Sequence, residues 1–188
     1  MFMDDQRAPD RGPWIQTYTG VKFHFLAPQP DEVRIEDIAH ALSNICRFTG
    51  HTKRHLSVAE HSVHASILVD GGLELAGLLH DASEAYIGDV SSPLKKVLPG
   101  FVELEHKIQA VIFRKFGLPP EIPEEIHVVD KLLVNIEARD LLGPALDGWY
   151  RGADVGNLGL REGWQPQQAE EMFLRRYRQL VSAGGSLG

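Results

Sequence analysis

Four side chains capable of acid–base or metal chemistry, His80, Asp81, Glu84 and Asp89, stand between residues 80 and 89, in LLHDASEAYIGDVSSPLK. Imidazole and carboxylate together are donors that a divalent transition metal accepts. The same groups move protons near neutral pH. Of the nine histidines in the chain, His40, His51, His55, His61, His64 and His80 crowd into residues 40–80. On a helix, residues four apart share a face, so His80 and Glu84 point the same way and Asp81 lies about 100° around. One helix cannot close a coordination shell. The preceding helix offers His61 and His64. A later one offers Asp130, in HVVDKLLVNIEARDLL, where Val128, Val129, Leu132, Leu133 and Ile136 read as buried. A carboxylate in apolar surroundings needs a partner, and a metal ion supplies one. Glu137 and Asp140 stay open as the distant carboxylate, as does Glu84 as an orienter of a histidine rather than a base.

The elements that must position these groups are mostly helical. WIQTYTGVKFHFLAP reads as two short β-rich runs joined at Thr19-Gly20. Apolar residues at helical spacing predict a helix near 34–46. RFTGHTKRH follows as a loop. Ser57 caps SVAEHSVHASILVD in a Ser-x-x-Glu pattern with Glu60, and Gly71-Gly72 ends that helix. Residues 73–87 read as a third, buried helix, and GDVSSPLK as a loop. Further helices are expected over FVELEHKIQAVIFRKFG, ended by Gly117, over 124–143, and over QQAEEMFLRRYRQLV after Pro166. Residues 1–13 read as loosely attached, and the Gly/Trp-rich segment 145–163 as an ordered loop or lid. Cys46 reads as a small core residue. The fold class is therefore all-α, about six helices with a small N-terminal β-hairpin. Residues 1–30 form the extension and hairpin and residues 31–188 the helical bundle, within a single domain overall.

Composition narrows the classes. The net charge of −7 argues against a broad nucleic-acid surface, because phosphate binding draws on excess Lys and Arg. It leaves room for a small phosphorylated ligand held by one or two basic side chains. No apolar run approaches the roughly 18–20 residues of a membrane span, and MFMDDQRAPDRGPW lacks the apolar core of a signal peptide. With a single cysteine, a reducing cytoplasm is the expected setting.

An ordered set of motifs resembles the HD-domain metal-dependent phosphohydrolases, whose pattern is a His, an adjacent His-Asp pair and a distant Asp on separate helices of an all-α domain. Here it falls on His61, His80-Asp81 and Asp130. Arg47-Phe48, Glu60-His61-Ser62 and HDASEAYIGDVSSPLK look most like the bacterial 5′-deoxynucleotidase branch, over roughly residues 38–140. The resemblance implies that His61, His80, Asp81 and Asp130 hold one divalent ion, manganese, cobalt or similar, with zinc and magnesium left open. It implies that Glu84 positions or deprotonates the attacking water, and that Asp89 adds a second acid–base group or a sugar contact. Arg47 would clamp the phosphate, Lys95 would add positive charge, and Phe48 would sit against the sugar or base. The branch has Trp where this chain has Phe48, which leaves the preference between 2′-deoxy and ribo substrates open. The implied activity is phosphate release from a nucleoside 5′-monophosphate, on a small phosphorylated substrate, by a chain that a homodimer would suit. A nucleotide pyrophosphohydrolase or phosphodiesterase, and a non-catalytic metal-stabilised binding protein, are the alternatives.

Overall fold

The computed structural model describes residues 11–144 and 163–184. Two strands, β1 (Trp14–Gln16) and β2 (Lys22–His24), pair antiparallel with Ile15 opposite Phe23. The turn closes through Thr17 and Val21, and Gly20 takes a φ of 85° there, a conformation open to glycine at little steric cost. Eight α-helices follow among the described residues: α1 (Ile35–Asn44), α2 (Val58–Leu68), α3 (Glu74–Leu79), α4 (Glu84–Ile87), α5 (Ser92–Lys95), α6 (Phe101–Lys115), α7 (Glu124–Leu141) and α8 (Pro166–Gly184). The all-α class with a small hairpin is what the structure shows.

α2 is the central element. It packs against α1, α3, α7 and α8, which is why VAEHSVHASIL has no polar stripe: Val58 through Val63 are all buried. Over that stretch the helix is surrounded and has no solvent face to keep polar. Ser57 Oγ accepts the Glu60 N–H at 3.1 Å, as a cap should. The Glu60 carboxylate accepts the Trp164 N–H at 2.9 Å, so it ties α2 to the approach of α8. Arg176 on α8 donates to both Ser66 Oγ and Ser66 O, satisfying polar atoms at the far end of α2.

The hairpin belongs to the core. Phe23 is fully buried and stacks on Tyr86 of α4 with ring centroids 3.8 Å apart. Burying a phenylalanine contributes about 1.5–3 kcal/mol. Thr19 donates from N and Oγ1 to Asp37 of α1 at 2.6 and 3.0 Å, pinning the turn to the bundle.

Several expectations are corrected. The predicted helix over 73–87 is two helices, broken between Leu79 and Glu84. The break has a side-chain cause. Gln109 of α6 donates to Leu79 O at 2.7 Å and accepts from Ser83 N–H at 3.0 Å. These are the two groups that an uninterrupted α-helix would join to each other, so the amide is inserted into the ladder. GDVSSPLK, expected as loop, contains α5; with the split, this turns six expected helices into eight. Val128 is exposed, since the inner face of α7 is set by Ile126, Leu133 and Glu137. Cys46 is part-exposed, with its Sγ 3.6 Å from Thr52 Oγ1. Residues 1–10 of the extension and 145–162 of the expected lid lie outside the described residues.

Candidate metal centre

Three elements bring the predicted ligands together. His61 is fully buried on α2, His80 and Asp81 occupy the stitched turn between α3 and α4, and Asp130 stands on α7. His61 Nε2 is 3.2 Å from His80 Nε2, 3.2 Å from Asp130 Oδ1 and 3.6 Å from Asp81 Oδ2. His80 Nε2 is 3.3 Å from Asp81 Oδ2 and 4.0 Å from Asp130 Oδ1. His80 Nδ1 faces the Gly77 carbonyl at 2.8 Å. A carbonyl only accepts, so Nδ1 carries the proton and Nε2 offers its lone pair inward. His61, His80 and Asp130 form a group that could hold a metal ion.

The donor set fits such an ion on geometry and charge. Bonds of about 2.1 Å put neighbouring ligand atoms on one ion roughly 3.0–3.4 Å apart, close to the spacings found. Asp81, Asp130 and Glu137 set three carboxylates around one guanidinium, Arg47, a deficit of positive charge that a divalent ion offsets. The protonation tendencies reflect the same crowding of charge. Burial and Arg47 push His61 down, yet Glu137 and Asp130 outweigh them and raise it to about 9. Burial works against the Asp81 charge, and His80, His61 and Arg47 still hold it well below the usual carboxylate range. Asp130 is lowered too, against burial, chiefly by its bond to His61.

Beside the ligands opens a cavity of about 320 Å³, lined among others by Arg47, Phe48, Glu84, Asp89 and Lys95. Glu84 is buried, and its Oε2 makes no hydrogen bond among the described residues. Burial first, then the charges of Asp81 and Asp89, raise it well above an ordinary glutamate. Asp89 is raised mainly by burial, with Asp81 adding to it and Arg47 opposing. Arg47 is held by three carboxylates: Nε donates to Glu137 at 2.9 Å, Nη1 to Asp81 at 3.3 Å, and Nη2 lies 3.9 Å from Asp130. Lys95, on α5, donates to Glu105 at 2.6 Å and stands 4.0 Å from Glu84. Phe48 and Thr49 both take left-handed backbone, with φ of 53° and 54°. The loop that carries them is fastened by Arg47 N–H to Leu56 O and Lys53 N–H to Leu141 O.

Every predicted site residue therefore lies at one place, and other residues join them. Glu137, weighed from sequence as a ligand, instead faces the outer nitrogen of His61, with Oε1 2.6 Å from Nδ1. Its spacing of seven from Asp130, two helical turns, was the available signal. Gln109 and the Gly77 carbonyl gave no signal. Asp140 pairs with its neighbour Arg139. His64 rests against Trp164 with centroids 5.6 Å apart, His55 faces Ser43 O, and His51 is exposed; none belongs to the group that could hold an ion. His40 faces Glu170 and stacks on Tyr18.

The fold and this cluster define an all-α protein with a His/Asp group suited to a metal ion. Over 173 residues the chain is 38% identical to Uncharacterized protein YfdR of Escherichia coli (strain K12), spanning 89% of this chain and 95% of that one. Uncharacterized protein RCAP_rcc00048 of Rhodobacter capsulatus is 35% identical over 144 residues, 69% of this chain and 74% of that protein. The chain belongs to the family of these two proteins. No family model matches it.

Proposed function

We propose that this protein is a metal-dependent phosphohydrolase of the HD type, releasing phosphate from a nucleoside 5′-monophosphate. The observation that carries the reading is the convergence of His61, His80, Asp81 and Asp130 on one point beside a pocket that holds both buried carboxyls and basic side chains. The ion would be divalent, manganese, cobalt or similar, with zinc and magnesium open. When bound, such an ion supplies Lewis acidity toward a phosphoryl oxygen and lowers the pKa of a bound water. The chain's own residues supply the rest. Glu84 lines the pocket, its Oε2 makes no hydrogen bond among the described residues, and its proton affinity is raised well above that of an ordinary glutamate, which suits a general acid or base. Asp89 offers a second carboxyl on the same cavity. Arg47, oriented through Nε, turns its Nη edge toward the carboxylates and the pocket, a fork suited to phosphate. Lys95 adds charge, and the Phe48 ring offers a face to sugar or base. A small phosphorylated substrate rather than extended nucleic acid, a cytoplasmic setting and a homodimer belong to the same reading. Among the described residues no helix is long and apolar enough to cross a membrane.

The test is phosphate release by metal-stripped protein refilled with one divalent ion at a time, against nucleoside mono-, di- and triphosphates, ribo and deoxy. Metal-dependent release from monophosphates alone is expected, and the sugar preference left open by Phe48 is read in the same panel. Release from di- or triphosphates only would turn the reading to a pyrophosphohydrolase. Silence with every nucleotide and metal would refute both and favour a non-catalytic binding protein.

A further inference from the structure

We infer that Glu137 is a positioning residue: one buried carboxylate fixes which nitrogen of His61 carries the proton and, at its other oxygen, sets the orientation of Arg47. The inference rests on the reading of the His/Asp cluster as a metal site. Glu137 is fully buried. Its Oε1 lies 2.6 Å from His61 Nδ1 and its Oε2 accepts from Arg47 Nε at 2.9 Å. An ionised carboxylate only accepts hydrogen bonds. His61 Nδ1 must therefore donate, which leaves Nε2, the atom that faces His80 Nε2 and Asp130 Oδ1, as the nitrogen able to give its lone pair to an ion. A histidine with the opposite tautomer would present N–H to the ion and could not ligate it. At the other oxygen, Nε is the one guanidinium nitrogen that leaves both Nη groups free to turn the same way. They meet Asp81 and Asp130 and line the pocket. The ligand on α2 and the basic side chain of the pocket thus share one anchor on α7.

Glutamine separates this role from simple packing, because it keeps shape and removes one acceptor. In Glu137→Gln the single carbonyl oxygen cannot serve both donors. If it faces Arg47, the amide N–H₂ faces Nδ1, which must then accept, and the proton moves to Nε2. If it faces His61, donor opposes donor at Arg47. The remedy follows from the same logic. Adding Arg47→Met removes the second demand, the glutamine oxygen turns to His61, and the ligating tautomer returns.

The experiment is calorimetric titration of metal-stripped parent, Glu137→Gln and Glu137→Gln/Arg47→Met with Co²⁺, with visible absorption to follow ligation. Glu137→Gln should bind about 10–100-fold more weakly, and the double variant should recover most of that loss. A single variant that binds like the parent, or a double variant no tighter than the single, overturns the inference while leaving the metal site standing. A parent that binds no Co²⁺ overturns the reading beneath it as well. Should Glu137→Gln fail to fold, long-range ¹H–¹⁵N spectra of the Zn²⁺-loaded parent decide: His61 must show Nδ1–H and a metal-shifted Nε2. The reverse pattern, or no Zn²⁺ shift, overturns it.

Discussion

Replacing Gln109 by leucine keeps the volume of a buried side chain and deletes both of its hydrogen bonds. Ser83 N–H, held now at 3.0 Å by the amide, loses its partner inside the core, while Leu79 O loses the 2.7 Å bond and keeps the Ala82 N–H at 3.1 Å. A stranded buried polar group costs about 1–3 kcal/mol, so Gln109→Leu should lower stability by about 1–3 kcal/mol. At roughly 2–4 °C per kcal/mol for a chain of this length, the melting temperature should fall by about 2–12 °C. The same change should loosen His80 and Asp81, which lie between the two stitched groups, and weaken Co²⁺ binding. Gln109→Glu sharpens the test: one oxygen still accepts from Ser83 N–H, and the other meets the Leu79 carbonyl, acceptor against acceptor. Urea unfolding gives the stability and calorimetry the metal affinity. If Ser83 N–H closes directly on Leu79 O, residues 74–87 become one helix, both groups are satisfied and stability barely moves. An unfolding midpoint and a Co²⁺ affinity both equal to the parent's would show that the amide is not what breaks the helix.

Four further outcomes are expected. His80→Ala should release the metal and abolish phosphate release, whereas Glu84→Gln should keep the metal and slow turnover by about 10²-fold or more; retained metal and full activity in the first, or an unchanged rate in the second, would remove those residues from their roles. Gly77→Ala would place a Cβ 2.9 Å from Val69 Cγ1 and 3.3 Å from Ser66 Cα, where α3 crosses α2. Overpacking of about 1–3 kcal/mol should exceed the helix-propensity gain of about 1 kcal/mol, and a more stable variant in urea would contradict it. Tyr86 is raised by burial and by Asp37, so its neutral form is favoured by folding. Its contribution is complete below the unfolded value near pH 10 and is lost as pH rises beyond it; Tyr86→Phe should flatten the fall in unfolding free energy between pH 9 and 11, and equal slopes would refute this.

The helices at 34–46, 101–117 and 124–143 were legible because an apolar period of 3.6 is written directly into their residues. The group of His61, His80 and Asp130 that could hold an ion was legible because His and Asp in apolar company have few bland explanations. What failed to show were relations between distant elements. LLHDASEAY contains no proline or glycine, so nothing local announces a break; the break comes from a glutamine thirty residues past Leu79. Val128 looked buried because it sits in an apolar run, yet which apolar residues face inward depends on where α7 lies against α2. Glu137 was visible as a carboxylate at the right spacing, but its partners Arg47 and His61 come from 90 and 76 residues away.

The left-handed pair Phe48 and Thr49 bears on how this protein could change. For a residue with a Cβ, that backbone costs about 1–2 kcal/mol, and threonine, branched at Cβ, is among the least suited to it. Thr49 is exposed, so no packing compensates it there. Glycine at that position relieves the strain without touching the core. Adaptation to heat would therefore find one of its easier gains on this loop, next to Arg47 and the pocket rim. There, a more robust chain and a well-aimed basic side chain are competing ends, and the present sequence keeps the strain.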